Sequence, residues 1–150
     1  MTSRPTWTAV LLAGVAAGVG DTLLAIGMYR VSPVVIYQSV ASGLLGRASF
    51  RGGLATAALG MALHFFIATT AAAVYVAASS RLKPLVERAV PCGLAFGLAV
   101  YFFMKEVVLP LSAARPIAFT WAGLIGHALL VGLPIALVAR HSRGSASASC

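Results

Sequence analysis

Four long apolar runs separated by short polar connections set the pattern of this chain. They cover residues 7–28, 54–78, 90–109 and 117–139, each close to or above the roughly 20 residues a helix needs to cross a hydrocarbon core. The pattern predicts an all-α polytopic membrane protein, with four transmembrane helices in a left-handed up-down bundle. Trp7 stands where an interfacial aromatic anchor belongs, and Arg30 follows the end of the first run. A shorter apolar stretch, 33–46, lies between the first two runs. Ser32 and Pro33 read as its N-cap and first helical residue, Gln38 and Ser42 fall one turn apart, and Gly52-Gly53 breaks the chain before the next span. Too short to span, it is expected to be an interfacial or re-entrant helix. Pro91 is tolerable in the first turn of the third span, Pro110 stops that span, and Pro134 is expected to kink the fourth. Residues 1–140 form one transmembrane domain in this reading, and the small, polar tail at 141–150 is expected to be disordered.

Composition strengthens the membrane assignment. Hydrophobic residues make up 60% of the chain and charged ones 9%, well outside soluble globular usage. The net charge of +8 reflects a scarcity of acids, with Asp21, Glu87 and Glu106 set against eleven Lys and Arg. Because the bases sit mainly in the connections, they suit topology and anionic headgroups and do not suggest nucleic-acid binding. Four spans put both termini on one side, with Arg4, Arg81, Lys83, Arg88, Arg140 and Arg143, against Arg30, Arg47, Arg51 and Arg115 on the other. That six-to-four balance favours cytoplasmic termini in a cell membrane. The first run passes the small residues Ala16 and Ala17 and continues to Met28, too long for a signal-peptide core. Cys92 and Cys150 have no metal-ligand spacing; Cys92 reads as a small buried hydrophobe, and a disulfide between them is not expected.

Asp21 changes the picture most. An acid at mid-bilayer costs roughly 2.5 to 3.5 kcal/mol or more unless it meets protein or water. Gly14, Gly18, Asp21 and Ala25 follow helical spacing, so the carboxylate shares a face with the small residues that let membrane helices approach. Comparable stripes carry Gly60 and His64 on the second span, Gly93, Gly97, Tyr101 and Lys105 on the third, and Thr120, Gly123 and His127 on the fourth. Counted along alternating helices, Asp21, His64, His127, Lys105 and Glu106 fall in the half of the bilayer facing the 31–53 connection. They are expected to form an intramembrane polar cluster.

The segments Val31-Ser32-Pro33, Gln38-Ser39-Val40-Ala41-Ser42-Gly43-Leu44-Leu45-Gly46, Gly52-Gly53-Leu54-Ala55-Thr56-Ala57, Leu63-His64-Phe65 and Val107-Val108-Leu109-Pro110-Leu111-Ser112-Ala113 carry a resemblance to a known group. Through them the chain resembles an uncharacterised family of small bacterial four-span integral membrane proteins. The resemblance covers most of the chain except the tail. It implies a bacterial inner-membrane address and supplies neither an activity nor site residues.

Several functions fit the cluster. The first is a structural or accessory membrane component, in which Asp21 bonds across helices to a His, Lys105 or a hydroxyl and the glycines serve packing within or between chains. The second is a small proton- or cation-coupled transporter or channel-like protein, with Asp21 as the working carboxylate and the histidines as relays. A third is a haem held by His64 and His127 on different helices. No two of the polar residues stand at metal-motif spacing, and no hydrolase elbow, Cys-x-x-Cys, zinc-protease helix or P-loop is present, so an enzyme is not indicated.

Overall fold

The computed structural model describes residues 7–147, with side chains to residue 143. Its first helix, α1 (Trp7–Tyr29), is rich in Ala, Leu and Val and contains no proline, so nothing interrupts its ladder. It ends at Arg30, which takes a left-handed φ of 52° and whose N–H closes on the Ile26 carbonyl. Ser32 then caps α2 (Pro33–Leu45): its hydroxyl accepts from the Val35 N–H, and Pro33 occupies the first turn, where a missing N–H costs nothing. A 3₁₀ segment (Gly46–Arg51) follows. Gly46 and Gly53, with φ near 58° and 57°, make left-handed turns that side-chain-bearing residues rarely adopt.

The long α3 (Gly53–Ser79), the short α4 (Pro84–Glu87) and α5 (Ala89–Phe103) come next. After a connection through 109–120 come α6 (Trp121–Gly126) and α7 (Leu133–Ser147). Four helical stretches, Trp7–Tyr29, Gly53–Ser79, Ala89–Val108 and Trp121–Arg143, are long and apolar enough to cross a membrane. No strand occurs among the described residues.

Two spans widen into π-helix, and each does so just before a proline. Met104–Val108 extends α5 ahead of Pro110, and His127–Gly132 joins α6 to α7 ahead of Pro134. Proline offers no N–H to the carbonyl four residues back and crowds it. The ladder shifts to i→i−5 instead, with Leu109 N–H on the Met104 carbonyl and Leu133 N–H on that of Ala128. The feature at Pro134 is therefore a π-bulge upstream of the ring. Gly20 of α1 fits against the Leu130 carbonyl, the one Pro134 cannot satisfy.

Two boundaries differ from the sequence reading. The fourth span starts at Trp121 and not at 117, because Thr120 has extended backbone and its hydroxyl caps the helix by accepting from the Gly123 N–H at 3.1 Å. The expected disordered tail at 141–150 is helical as far as Ser147. Arg143 holds this end: its Nε donates to the Ser79 hydroxyl at 3.0 Å and its Nη2 to the Val76 carbonyl at 2.9 Å, tying α7 to the end of α3. Residues 148–150, including Cys150, lie outside the described residues, and Cys92 is half-buried with its thiol towards the Pro84 carbonyl.

The contiguous apolar core lies in one half of the bundle, while Ile36, Ala41, Ala57 and Tyr101 are buried outside it. Val10, Ala13 and Ala17 from the start of α1 pack with Ala72, Tyr75 and Val76 from the end of α3, Ala89 from the start of α5, and Val131, Ile135, Ala136 and Ala139. Small side chains at the crossings let the helices close tightly, and Tyr75 fills what remains while its hydroxyl donates to the Leu85 carbonyl at 3.0 Å. The expected packing glycines sit at close contacts. Gly14 lies against Thr69, Gly18 against Phe65, Gly93 against Gly132 and Ala136, Gly97 against the His127 carbonyl, and Gly123 against Tyr101. Gly60 meets the Tyr37 carbonyl of α2 so closely that a Cβ there would collide with it.

Candidate functional site

Beyond this packed half, the helices border a half-open cavity of about 810 Å³. Its walls come from the second half of α1, the middle of α3 (residues 63–71), the end of α5 with its π-helical extension, and the stretch from Thr120 to Val131. Its roof comes from α2 and the 109–120 connection, which are joined by a hydrogen bond from Ala113 N–H to the Gly43 carbonyl at 2.9 Å. The lining is largely apolar, but Asp21, His64, Lys105 and His127 all reach it. Its volume falls within the roughly 300–1,000 Å³ usual for small-molecule sites.

Asp21 and His127 face each other. His127 Nε2 stands 3.5 Å from Asp21 Oδ1, and both side chains are partly exposed. The other ring nitrogen, Nδ1, is 2.9 Å from the Gly123 carbonyl one turn back. A carbonyl only accepts, so Nδ1 carries a proton and the tautomer is fixed. Nε2 and the carboxylate therefore attract only when one further proton is present, as imidazolium with carboxylate or imidazole with carboxylic acid. Tyr101 orients the ring: it lies edge-on to His127 with centroids 5.2 Å apart, and its hydroxyl accepts from the Thr120 N–H at 3.1 Å. The residues that cap α6 thus also aim the histidine.

His64 belongs to a separate network. Its Nε2 donates to the Gly18 carbonyl at 2.9 Å and lies 3.2 Å from the Thr22 hydroxyl, which itself donates to Gly18 at 2.8 Å. With that proton spent, the Thr22 oxygen accepts from Tyr37 of α2 at 3.2 Å. Three helices meet here through hydrogen bonds one turn from Asp21.

The remaining expected polar residues are placed differently. Lys105 makes no bridge to Asp21; its Nζ pairs with the neighbouring Glu106 at 2.6 Å, within the π-helical segment. Glu106 points away from the cavity, with its side chain 59% exposed. Gln38 is buried and donates to the Gly53 carbonyl at 3.0 Å, pinning α2 to the start of α3, while Ser42 bonds back to its own helix at Ser39. Among the described residues, no three His, Cys, Asp or Glu come together as a metal group.

Sequence reasoning did not single out Thr22 or Tyr37, and it gave Tyr101 no role beyond its stripe. Thr22 carried a usable signal, since a threonine beside a buried acid can serve either the helix carbonyl or a neighbour. Tyr37 did not, because its role depends on how α2 packs. Comparison with protein families, with curated proteins and with solved structures finds no match to this chain.

Proposed function

We propose that the protein is an integral multi-pass membrane protein that binds a small guest in the open half of its bundle, working as a proton- or cation-coupled carrier through Asp21. The observation that carries this reading is the cavity of about 810 Å³ with Asp21 and His127 facing each other at 3.5 Å on its wall. A protein built only as a scaffold has no need of a hollow half, since voids forfeit packing contacts.

The outer surface supports the bilayer setting: Leu11, Leu12, Leu23, Phe66 and Phe103 all point outwards, a liability in water and natural against lipid. The contact pairs 14 with 69, 18 with 65 and 21 with 127 support an up-down order of helices. The Tyr37–Gly60 contact lies seven residues into α3, about 10 Å along its axis at ~1.5 Å per residue, which supports a re-entrant α2 over one lying flat on the surface. The balance of bases puts the termini in the cytoplasm, and the family resemblance adds a bacterial inner membrane.

A structural or accessory role is the second reading, supported by the way Asp21–His127 joins α1 to the fourth span. Haem ligation by His64 and His127 is less favoured, because His64 Nε2 is spent on Gly18 and His127 Nε2 faces Asp21. Reconstitution of the parent and Asp21→Asn in liposomes carrying an internal pH dye separates the two leading roles. A proton leak or exchange present in the parent and lost in a folded Asp21→Asn supports the carrier. A silent parent with a variant that no longer folds supports the scaffold.

A further inference from the structure

The Asp21–His127 pair carries one proton in its attractive form and is then neutral overall; without that proton it carries one negative charge. We propose that the cavity takes an amphipathic organic cation in exchange for this proton. The inference rests on the cavity being a binding site and adds the chemistry of what it binds.

The charges around the pair set the sign. From α1, Asp21 and Tyr29 face the cavity; from α3, His64; from α5 and its π-helical extension, Tyr101 and Lys105; from the π-helical segment after α6, His127. The part of α2 and the 109–120 connection that line it contribute no charged side chain. Lys105 is already neutralised by Glu106 at 2.6 Å, and His64 is held by a carbonyl and a hydroxyl. The deprotonated pair therefore places on the cavity wall a negative charge that no lysine or arginine in the lining pairs with.

Asp21 is also available. At 3.5 Å His127 is an ion-pair neighbour and too distant for a strong hydrogen bond, and no hydroxyl or backbone N–H among the described residues donates to the carboxylate. The walls add the rings of Tyr29, Phe50 and Tyr101, suited to a soft cation, and a mostly aliphatic remainder suited to an apolar body.

The step balances. A cation entering the protonated site would leave a net positive charge in a low-dielectric interior, the costliest arrangement for a membrane site. When the pair gives its proton to the aqueous phase, the cation pairs with the Asp21 carboxylate and His127 stays neutral on its Gly123 bond. The site is then neutral before and after exchange, and the cation bound equals the proton released.

The test uses the full chain in lipid nanodiscs, with empty nanodiscs as the blank. Tetraphenylphosphonium, tetraphenylborate and neutral triphenylphosphine provide aryl probes of three charges. Calorimetry in buffers of different ionisation heat counts protons. Expected are an affinity rising about tenfold per pH unit, with about one proton released per phosphonium bound, as long as the pair is protonated, then a flat affinity with no release once it is deprotonated. The borate binds more weakly at high pH, and Asp21→Asn loses both the proton release and the pH slope. Phosphonium binding that releases no proton at any pH overturns the proposal, as does borate binding as tightly at high pH. If triphenylphosphine enters but the phosphonium does not, exchange fails while the cavity reading stands. If none of the three enters, both fall. The proton count on the parent protein decides the matter even if Asp21→Asn does not fold.

Discussion

His127 Nε2 faces Asp21 Oδ1 at 3.5 Å while its other ring nitrogen is committed to the Gly123 carbonyl at 2.9 Å. The fourth span thereby presents a histidine of fixed tautomer to a carboxylate on the first. The pair sits where the packed half of the bundle gives way to the hollow one. It links two helices, and in the proposed exchange it is the place for one proton.

That link has a measurable size. A double-mutant cycle of Asp21→Asn and His127→Gln, followed by unfolding in mixed micelles, is expected to give a coupling of about 1 kcal/mol, within the range of polar contacts between membrane helices. Additive single losses would show that the two residues do not interact.

The glycines divide by what lies opposite them. Gly60→Val and Gly97→Val drive a side chain into the carbonyls of Tyr37 and His127, and each is expected to cost at least about 1–3 kcal/mol or to abolish folding. Gly27→Ala meets nothing within 4 Å and is expected to be neutral or slightly stabilising. Thermal unfolding of the three variants checks the contrast, and a Gly27→Ala loss as large as the others would contradict it.

The network at Gly18 is expected to respond to how many bonds each substitution removes. Tyr37→Phe loses one hydrogen bond and should cost under about 1 kcal/mol. His64→Leu removes the imidazole donor to Gly18 and its contact with Thr22, and should cost about 1–3 kcal/mol. Equal effects would mean that α2 is held mainly by Gln38 and the Gly60 crossing.

Pro134 sets the π-bulge that contains His127. Pro134→Ala restores an N–H for the Leu130 carbonyl and lets the segment return to α spacing, turning His127 away from Asp21. Repeating the double-mutant cycle in this background is expected to bring the coupling close to zero. An unchanged coupling would show that the bulge does not set the pair.

Much of this architecture is written in local pattern. The spans follow from runs of apolar residues of bilayer length, and α2 from Ser32, Pro33 and the glycines around it, all signals that act within a few residues. The stripes of small residues locate helix crossings because a close approach excludes side chains. A histidine was among the expected partners of Asp21, but which member of the cluster it would face was not legible, because that depends on how α1 rotates against its neighbours. Lys105 was a reasonable partner by depth, but it pairs with Glu106 instead. The start of the fourth span was hidden because 117–120 is apolar enough to continue a helix, and the Thr120 cap, steadied by Tyr101 from another span, stops it. The cavity has no sequence signature, since the residues around it are the same aliphatic ones that fill the core.

The account turns on one half of the bundle being hollow and the other packed. The most direct measurement is maleimide labelling in proteoliposomes of single cysteines, with Cys92 and Cys150 replaced by serine. Ala25→Cys lines the cavity, and Ala136→Cys lies in the core with no exposed surface. Labelling is expected to be rapid at 25, slowed by tetraphenylphosphonium, and absent at 136 in the folded protein. Equal protection at both positions would contradict it.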